Sequence, residues 1–171
     1  MALTLTFVNK RVLDSAVVGS DGSAHYTVST HYAWFGRKFT TITAANGLVG
    51  HIHWRKHTFE LGGMKTKWSE IRSGRGWWNP HQEYEWHWGD SRAPYRVKFH
   101  KLSSELVATP LRGGEATRFQ PHHSYVSTKA PVIYLPQESA QKDDIERMFV
   151  LMVLIQSDTV YRRRGMIGRV R

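Results

Sequence analysis

Alternating histidines and carboxylates form the clearest candidate for chemistry in this sequence. In a strand over His81–Trp88, alternate positions place His81, Glu83, Glu85 and His87 on one face. Imidazole and carboxylate groups bind Zn²⁺ and similar ions, so one interpretation is a metal-dependent enzyme. The alternative, which we favour, is a solvated face whose glutamates pair with basic residues across neighbouring strands.

Other catalytic patterns are missing from the sequence. The chain has no cysteine, which excludes thiolate chemistry, disulfides and zinc sites built on Cys ligands. It has no Gly-x-Ser-x-Gly nucleophile elbow and no glycine-rich phosphate-binding motif. We therefore expect a non-catalytic protein that holds neither a metal nor a cofactor.

A loop over residues 72–80 combines basic and aromatic side chains. Arg72 and Arg75 alternate with glycines, and Trp77 and Trp78 follow directly. Indole rings beside guanidinium groups suit a bilayer interface, where Trp lies at headgroup depth and Arg meets phosphate. The same pair suits base stacking on nucleic acid, and at least one Trp could instead close an end of the core.

A second basic feature is the segment 161–171, predicted to be a basic C-terminal tail. Arg162, Arg163 and Arg164 are consecutive, and two more arginines follow. Each such charge contributes about 1 kcal/mol near an anionic membrane. Nucleic acid would be bound with a steep salt dependence. The alternative is a solvated chain end without a partner.

The overall charge favours an anionic partner. The 171 residues include 24 Lys and Arg but 14 Asp and Glu, giving a net charge of +10 with neutral His. A surplus of this size is typical of proteins that bind nucleic acid or acidic lipid headgroups. The length corresponds to a single domain, predicted here over residues 1–160.

Short alternating segments separated by turn residues predict an antiparallel β-protein. The Asn46-Gly47 dipeptide is the strongest hairpin signal, and Asp21-Gly22 is another. Closing such a sheet removes its edges, so we predict a closed barrel of about 10–12 strands. The predicted strands are Leu3–Val8, His25–Thr30, Phe39–Thr43, Leu48–Phe59, Lys65–Ile71, His81–Trp88, Tyr95–Leu102, Leu106–Leu111, Ser124–Ser127 and Val132–Leu135.

One segment near the end of the chain predicts a helix over about 143–157. Asp143 and Glu146 have the spacing of a capping box, and the run Met148–Ile155 is apolar on every side of a helix. A helix without a polar face must be buried all round, and the lumen of the barrel is the place available. A central strand is the alternative, because several of these residues are β-branched.

We find neither a signal peptide nor a transmembrane segment. The N-terminus lacks a basic region followed by an apolar one, and the longest apolar run is far too short to span a bilayer. The expected location is intracellular and cytoplasmic, at the periphery of a membrane if lipid is the partner.

A barrel threaded by an apolar C-terminal helix resembles the Tubby-like, LURP-one and phospholipid-scramblase superfamily. The chain is most similar to an uncharacterised family of small fungal proteins assigned to that superfamily. The resemblance implies the fold and, by analogy with Tubby domains, phosphoinositide binding through basic surface residues, although no individual lipid-binding residue is matched. It rests on Tyr26–Thr30, Thr40–Thr43, Val49–Trp54, Tyr84–Trp88 and Asp144–Gln156.

Together these observations predict a binding module for an anionic partner, with acidic lipid or phosphoinositide as the first choice. The alternatives are nucleic-acid binding, the metal-dependent enzyme described above, and a protein-interaction scaffold. The oligomeric state is left open. The predicted lipid-binding residues are Arg72, Arg75, Trp77, Trp78, Arg162, Arg163 and Arg164.

Overall fold

A computed structural model describes residues 3–74, 83–100, 102–121, 129–136 and 143–167, the last five of them by their backbone alone. These ranges contain thirteen strands and two helices. The strands are β1 (Leu3–Phe7), β2 (Ser15–Gly19), β3 (Ala24–Ala33), β4 (Gly36–Ala44), β5 (Val49–His53), β6 (Thr58–Leu61), β7 (Met64–Lys67), β8 (Arg72–Ser73), β9 (Glu83–Trp86), β10 (Tyr95–His100), β11 (Glu105–Pro110), β12 (Thr117–Gln120) and β13 (Val132–Leu135). The helices are α1 (Trp68–Ile71) and α2 (Asp144–Ile167).

All thirteen strands belong to one antiparallel sheet. Its order is β7-β6-β5-β4-β3-β2-β1-β13-β12-β11-β10-β9-β8. Neighbours within β1–β7 and within β8–β13 are consecutive in the chain. The two halves meet where β1 pairs with β13, with Leu5 opposite Ile133.

The connection between the two edge strands shows that the sheet is curled. Strands β7 and β8 lie at opposite edges, yet only the four residues of α1 separate them in the chain. In a flat sheet, twelve steps of about 4.8 Å would place these edges roughly 58 Å apart. The short connection spans at most about 17 Å, so the sheet must wrap round until its edges approach each other.

The predicted barrel is not closed by hydrogen bonds. Within the described ranges, no backbone ladder joins β7 to β8, and α1 lies between them instead. Backbone groups of α1 bond to neighbouring turns: the Trp68 N–H donates to the His57 carbonyl, and the Ile71 carbonyl accepts from the His87 N–H. The edges therefore meet through a helical turn, and the strand count exceeds the predicted 10–12.

Helix α2 fills the space inside the curl, as predicted. No residue from Met148 to Ile155 is more than 5% exposed, so every side of this stretch is covered. The predicted N-cap is also confirmed, because Asp143 Oδ1 accepts a 2.6 Å hydrogen bond from the Glu146 backbone N–H. The helix continues to Ile167, well past its predicted end.

Both halves of the sheet pack on α2. The helix contacts β4, β5 and β6 from one half and β11 from the other. The Phe149 ring lies 6.3 Å from that of Phe59 and 5.4 Å from that of Trp88, measured between centroids. Trp86 and Trp88, which alternate with Glu85 and His87, point inward, since both are almost fully buried.

Two predicted strands are interrupted by other structure. The segment Leu48–Phe59 forms β5 and β6 with a turn over 54–57 between them, so Arg55 and His57 do not share a strand face with His51. His57, the last residue of this turn, has a φ of 51°, a left-handed conformation that interrupts the extended chain directly before β6. The segment Lys65–Ile71 ends its strand at Lys67 and continues as α1.

Three strands were not predicted. Strand β8 occupies the first two residues of the predicted loop over residues 72–80. Strands β2 and β12 are short, and their alternation is weak: β2 reads Ser-Ala-Val-Val-Gly and β12 reads Thr-Arg-Phe-Gln. The predicted strand Ser124–Ser127 lies outside the described residues. Neither described helix has the length and apolar character that a membrane crossing requires.

Strand β5 approaches α2 most closely at Gly50, which leads to a prediction. A Cβ atom at this position would lie 2.8 Å from Met152 Sδ and 3.2 Å from Met148 Cγ. We expect Gly50→Val to lower the free energy of unfolding by about 1–3 kcal/mol, because the larger side chain overpacks the contact. Urea denaturation would measure this. Val49→Ala, at the exposed neighbouring position, is the control, and equal effects of both changes would contradict the close approach.

Candidate functional site

The curled sheet has two open ends, which we call the acidic rim and the basic rim. The acidic rim surrounds the first turn of α2, where Asn46 of the β4–β5 turn hydrogen-bonds to Asp144. The basic rim surrounds α2 at Asp158–Arg162. It is formed by segment 8–14, the β3–β4 and β5–β6 turns, α1 and the β10–β11 turn, since strands alternate in direction round the sheet.

Charges of opposite sign collect at the two rims. The described turns and strand ends of the basic rim carry five acidic residues, Asp14, Glu70, Glu83, Glu105 and Asp158, and ten basic ones, Lys10, Arg11, Arg37, Lys38, Arg55, Lys56, Lys67, Arg72, Lys129 and Arg162. Those of the acidic rim carry seven acidic residues, Asp21, Glu60, Asp90, Glu115, Asp143, Asp144 and Glu146, and four basic ones, Lys65, Arg92, Arg112 and Arg147. The molecule therefore has a marked electrostatic polarity along α2.

A cavity of about 550 Å³ opens at the basic rim. Arg37 and Arg55 line it together with Trp54, Trp68 and Val160 of α2. Two adjoining cavities, of about 240 and 360 Å³, extend along the same rim. The first includes Arg11 and Arg162, and the second includes Lys56, Lys67 and Arg72.

Aromatic rings hold the arginines of this cavity. The Arg37 guanidinium carbon lies 5.8 Å from the centroid of the Trp54 ring, and that of Arg55 lies 6.0 Å from the Phe35 ring. Trp54 is fixed in turn by a 2.8 Å hydrogen bond from its Nε1 to Thr40 Oγ1. Within the described part of the chain, neither Arg37 nor Arg55 forms an ion pair with a carboxylate. Their charges are available to an external anion.

Large apolar side chains are exposed at the same end. Trp34 and Phe35, at the tip of the β3–β4 hairpin, are 94% and 84% exposed, and Leu102 in the β10–β11 turn is fully exposed. Val8 and Tyr32, also at the basic rim, are more than half exposed. Exposed apolar groups surrounded by charges are typical of a surface that binds a partner, rather than of one that faces only solvent.

The structure brings two of the predicted site residues to this rim. Arg72 lines the adjoining cavity of about 360 Å³ beside Val160, with its guanidinium carbon 4.8 Å from the Tyr84 ring centroid. Arg162 is paired with Asp158, a carboxylate only 2% exposed, at 2.9 Å, so much of its charge is compensated.

The structure does not describe the side chains of the other predicted site residues. Arg75, Trp77 and Trp78 lie outside the described residues, and Arg163 and Arg164 fall in the part of α2 described by backbone alone.

Sequence reasoning missed the segments that dominate the rim. These are Trp34-Phe35-Gly36-Arg37-Lys38 and Trp54-Arg55-Lys56. Both place aromatic residues directly beside basic ones, which is the pattern that singled out residues 72–78. Applied along the whole chain, the same pattern would have found them.

The two glutamates of the candidate metal-binding face form ion pairs. Arg96 on β10 contacts Glu83 at 3.1 Å and Glu85 at 2.9 Å, and Lys98 lies 3.8 Å from Glu83. This confirms the cross-strand pairing that we favoured for the two glutamates. In the described ranges, no three His, Asp or Glu side chains form a group that could hold a metal. His81 lies outside those ranges.

A second charged cluster on the outer face predicts a pH dependence. Glu60 accepts hydrogen bonds from Lys65 at 2.9 Å and from His53 at 3.0 Å, and these two partners lower its pKa to about 2. The stabilisation from a lowered carboxylate pKa is present above the ordinary value of 4.5 and is lost as the pH falls towards 2. Because Glu60 is 40% exposed, solvent screening keeps this contribution below about 1 kcal/mol.

Glu60→Gln tests this cluster. We expect the variant to show a shallower fall of the unfolding free energy between pH 4.5 and 2 than the original protein. Urea denaturation across a pH series measures it. Glu115→Gln, at an exposed turn, serves as the control, and parallel curves for the two variants would show that the Glu60 contacts contribute nothing.

Comparisons with known proteins show the fold. No family model matches the chain, and no curated protein matches it. An X-ray structure of a protein from Arabidopsis thaliana is similar, with a TM-score of 0.50 and 12% sequence identity. The match covers 94% of this chain and 91% of that one. At this identity the likeness concerns the architecture alone.

Proposed function

We propose that the protein is a non-catalytic module that binds acidic lipid headgroups through its basic rim. The observation that carries this proposal is made at one end of the molecule, where exposed Trp34 and Phe35 adjoin Arg37 and Arg55. Neither arginine pairs with a carboxylate of the described ranges. Guanidinium groups bind phosphate and carboxylate oxygens, and aromatic side chains favour the headgroup depth of a bilayer.

The charge polarity supports a surface as the partner. A planar anionic surface attracts the basic rim and repels the acidic rim, so the molecule would approach it in one orientation. Each basic side chain held near the surface contributes about 1 kcal/mol, and several such side chains ring the cavity. Because these charges are spread round the rim, a membrane engages more of them at once than a small anion does.

The kinship with the Tubby-like superfamily is likewise a proposal. It is supported by the curled antiparallel sheet wrapped round a buried C-terminal helix. Under this proposal the protein works inside the cell at a membrane periphery, and phosphoinositides are the first lipids to examine.

Vesicle co-sedimentation tests the function. We expect the full chain to sediment with vesicles of phosphatidylcholine and phosphatidylserine and to remain in solution with phosphatidylcholine alone. Salt should weaken the binding, because it screens the headgroup charge. Equal sedimentation with both vesicles, or with neither, would contradict the proposal. A mobility shift of single-stranded oligonucleotide in the absence of vesicle binding would replace lipid by nucleic acid as the partner.

A further inference from the structure

We propose that the tip of the β3–β4 hairpin inserts the side chains of Trp34 and Phe35 into the outer layer of an acidic bilayer. This inference rests on the proposed function and adds how the molecule is oriented on the membrane. It would place the basic rim against the lipid and the acidic rim away from it.

The position of the two side chains in the hairpin is the first argument. Ala33 pairs with Gly36, so Trp34 and Phe35 are the two residues of the turn itself. β3 and β4 are the longest strands of the described sheet, and both residues of their turn are more than 80% exposed. Two-residue hairpin turns favour Asn, Asp and Gly, whose backbone and side chains suit the turn. The preferences of such turns therefore do not explain Trp34 and Phe35. Core packing does not explain them either, since both side chains are almost fully exposed.

The depth of the surrounding charges is the second argument. Arg37 follows Phe35 by two residues, which places its backbone about 7 Å behind the tip at the rise of a strand. Amphipathic elements at a bilayer surface bury their apolar groups about 5–10 Å deep. When Phe35 reaches the acyl boundary, the guanidinium groups of Arg37 and Arg55 would therefore lie among the lipid phosphates.

A second exposed apolar point supports the orientation. Leu102 is fully exposed in the β10–β11 turn of the basic rim. In the sheet order, β10 and β11 are well separated from β3 and β4, so Leu102 and the hairpin tip occupy different parts of the rim. Two separate apolar contacts limit how far the molecule can tilt on the membrane.

Site-specific fluorescence tests the insertion. The chain has no cysteine, so Phe35→Cys and Met64→Cys each give a single labelling site. Met64 is a matched control. It is also exposed, but it begins β7 near the acidic rim, whereas β7 ends at the basic rim. With an environment-sensitive dye and vesicles containing phosphatidylserine, we expect a blue shift at position 35 and none at position 64. Quenching by acyl-chain nitroxide lipids should affect position 35 alone.

The double variant Trp34→Ala/Phe35→Ala keeps the test independent of the label. We expect its vesicle partitioning to fall roughly tenfold or more while its salt dependence is unchanged, because the lost term is apolar. Met64→Ala/Leu111→Ala, which removes exposed apolar groups away from the basic rim, should partition like the original protein.

The outcomes separate the two proposals. If the original protein binds acidic vesicles but the dye at position 35 shows no shift or quenching, the insertion is wrong and the binding function stands. If the original protein does not bind acidic vesicles, both proposals fail.

Discussion

Alanine at Phe149, Leu151 or Leu154 is expected to lower the free energy of unfolding by about 2–5 kcal/mol in each case. Phe149 points to one side of α2, Leu151 and Leu154 point to the opposite side, and each side chain is at most 5% exposed. In an ordinary amphipathic helix, substitutions lower the free energy of unfolding strongly only on the core-facing stripe. The size of this loss therefore repeats with the helical period. Here no such period is expected, because the sheet covers the helix on every side.

Urea denaturation followed by far-ultraviolet circular dichroism measures these costs. Arg118→Ala is the control, since this exposed position on β12 should change stability by less than about 0.5 kcal/mol. A change at Leu151 or Leu154 as small as that of the control would mean that this side of the helix is not enclosed.

The second large effect is expected from reversing charge at the basic rim. In Arg37→Glu/Arg55→Glu, two attractions of about 1 kcal/mol each are lost and two repulsions are added. We therefore expect affinity for vesicles containing phosphatidylserine to fall roughly 30-fold or more at physiological ionic strength. Co-sedimentation over a range of lipid concentrations would measure the change.

The matched control is Arg112→Glu/Arg118→Glu, which changes the net charge by the same amount away from the basic rim. Its affinity should stay within about threefold of the original, because these positions lie beyond a Debye length from a membrane bound at the basic rim. Equal losses in both variants would show that binding follows net charge rather than this surface.

Local signals made much of the fold predictable. The Asp143 cap and the apolar run behind it require no knowledge of the rest of the chain, and the predicted strand Val132–Leu135 is observed with the same bounds. The Asn46-Gly47 turn is similarly local: Gly47 adopts a φ of 87°, and the Ala44 N–H donates to the Leu48 carbonyl.

Two elements that differ from the prediction have almost no signal in the neighbouring sequence. The turn over 54–57 contains neither glycine nor proline, and His57 itself takes the left-handed conformation that closes it. Helix α1 begins at Trp68. The three-residue spacing between the buried Trp68 and Ile71 is the helical pattern in a segment that otherwise alternates. Whether the sheet edges pair depends on the twist summed over thirteen strands, which no single segment encodes.

The candidate site was only partly predictable for a related reason. Arg72 and Arg162 were recognised from their neighbours in sequence, and both lie at the basic rim. Arg37 follows the β3–β4 turn and Arg55 lies in the β5–β6 turn. They line the same cavity only because strand direction alternates round the sheet. The exposure of Trp34 and Phe35 also depends on the pairing of Ala33 with Gly36, which fixes them as the turn.

In the chain, α2 follows all thirteen described strands, and this order affects how the protein is made. The ribosome releases every sheet segment before the apolar helix that they enclose, so the growing chain has inner strand faces with nothing to cover them. Exposed apolar surface and unpaired strand edges favour aggregation of such a nascent chain. A stop codon introduced before Asp144 should accordingly yield an insoluble product rather than a smaller folded one.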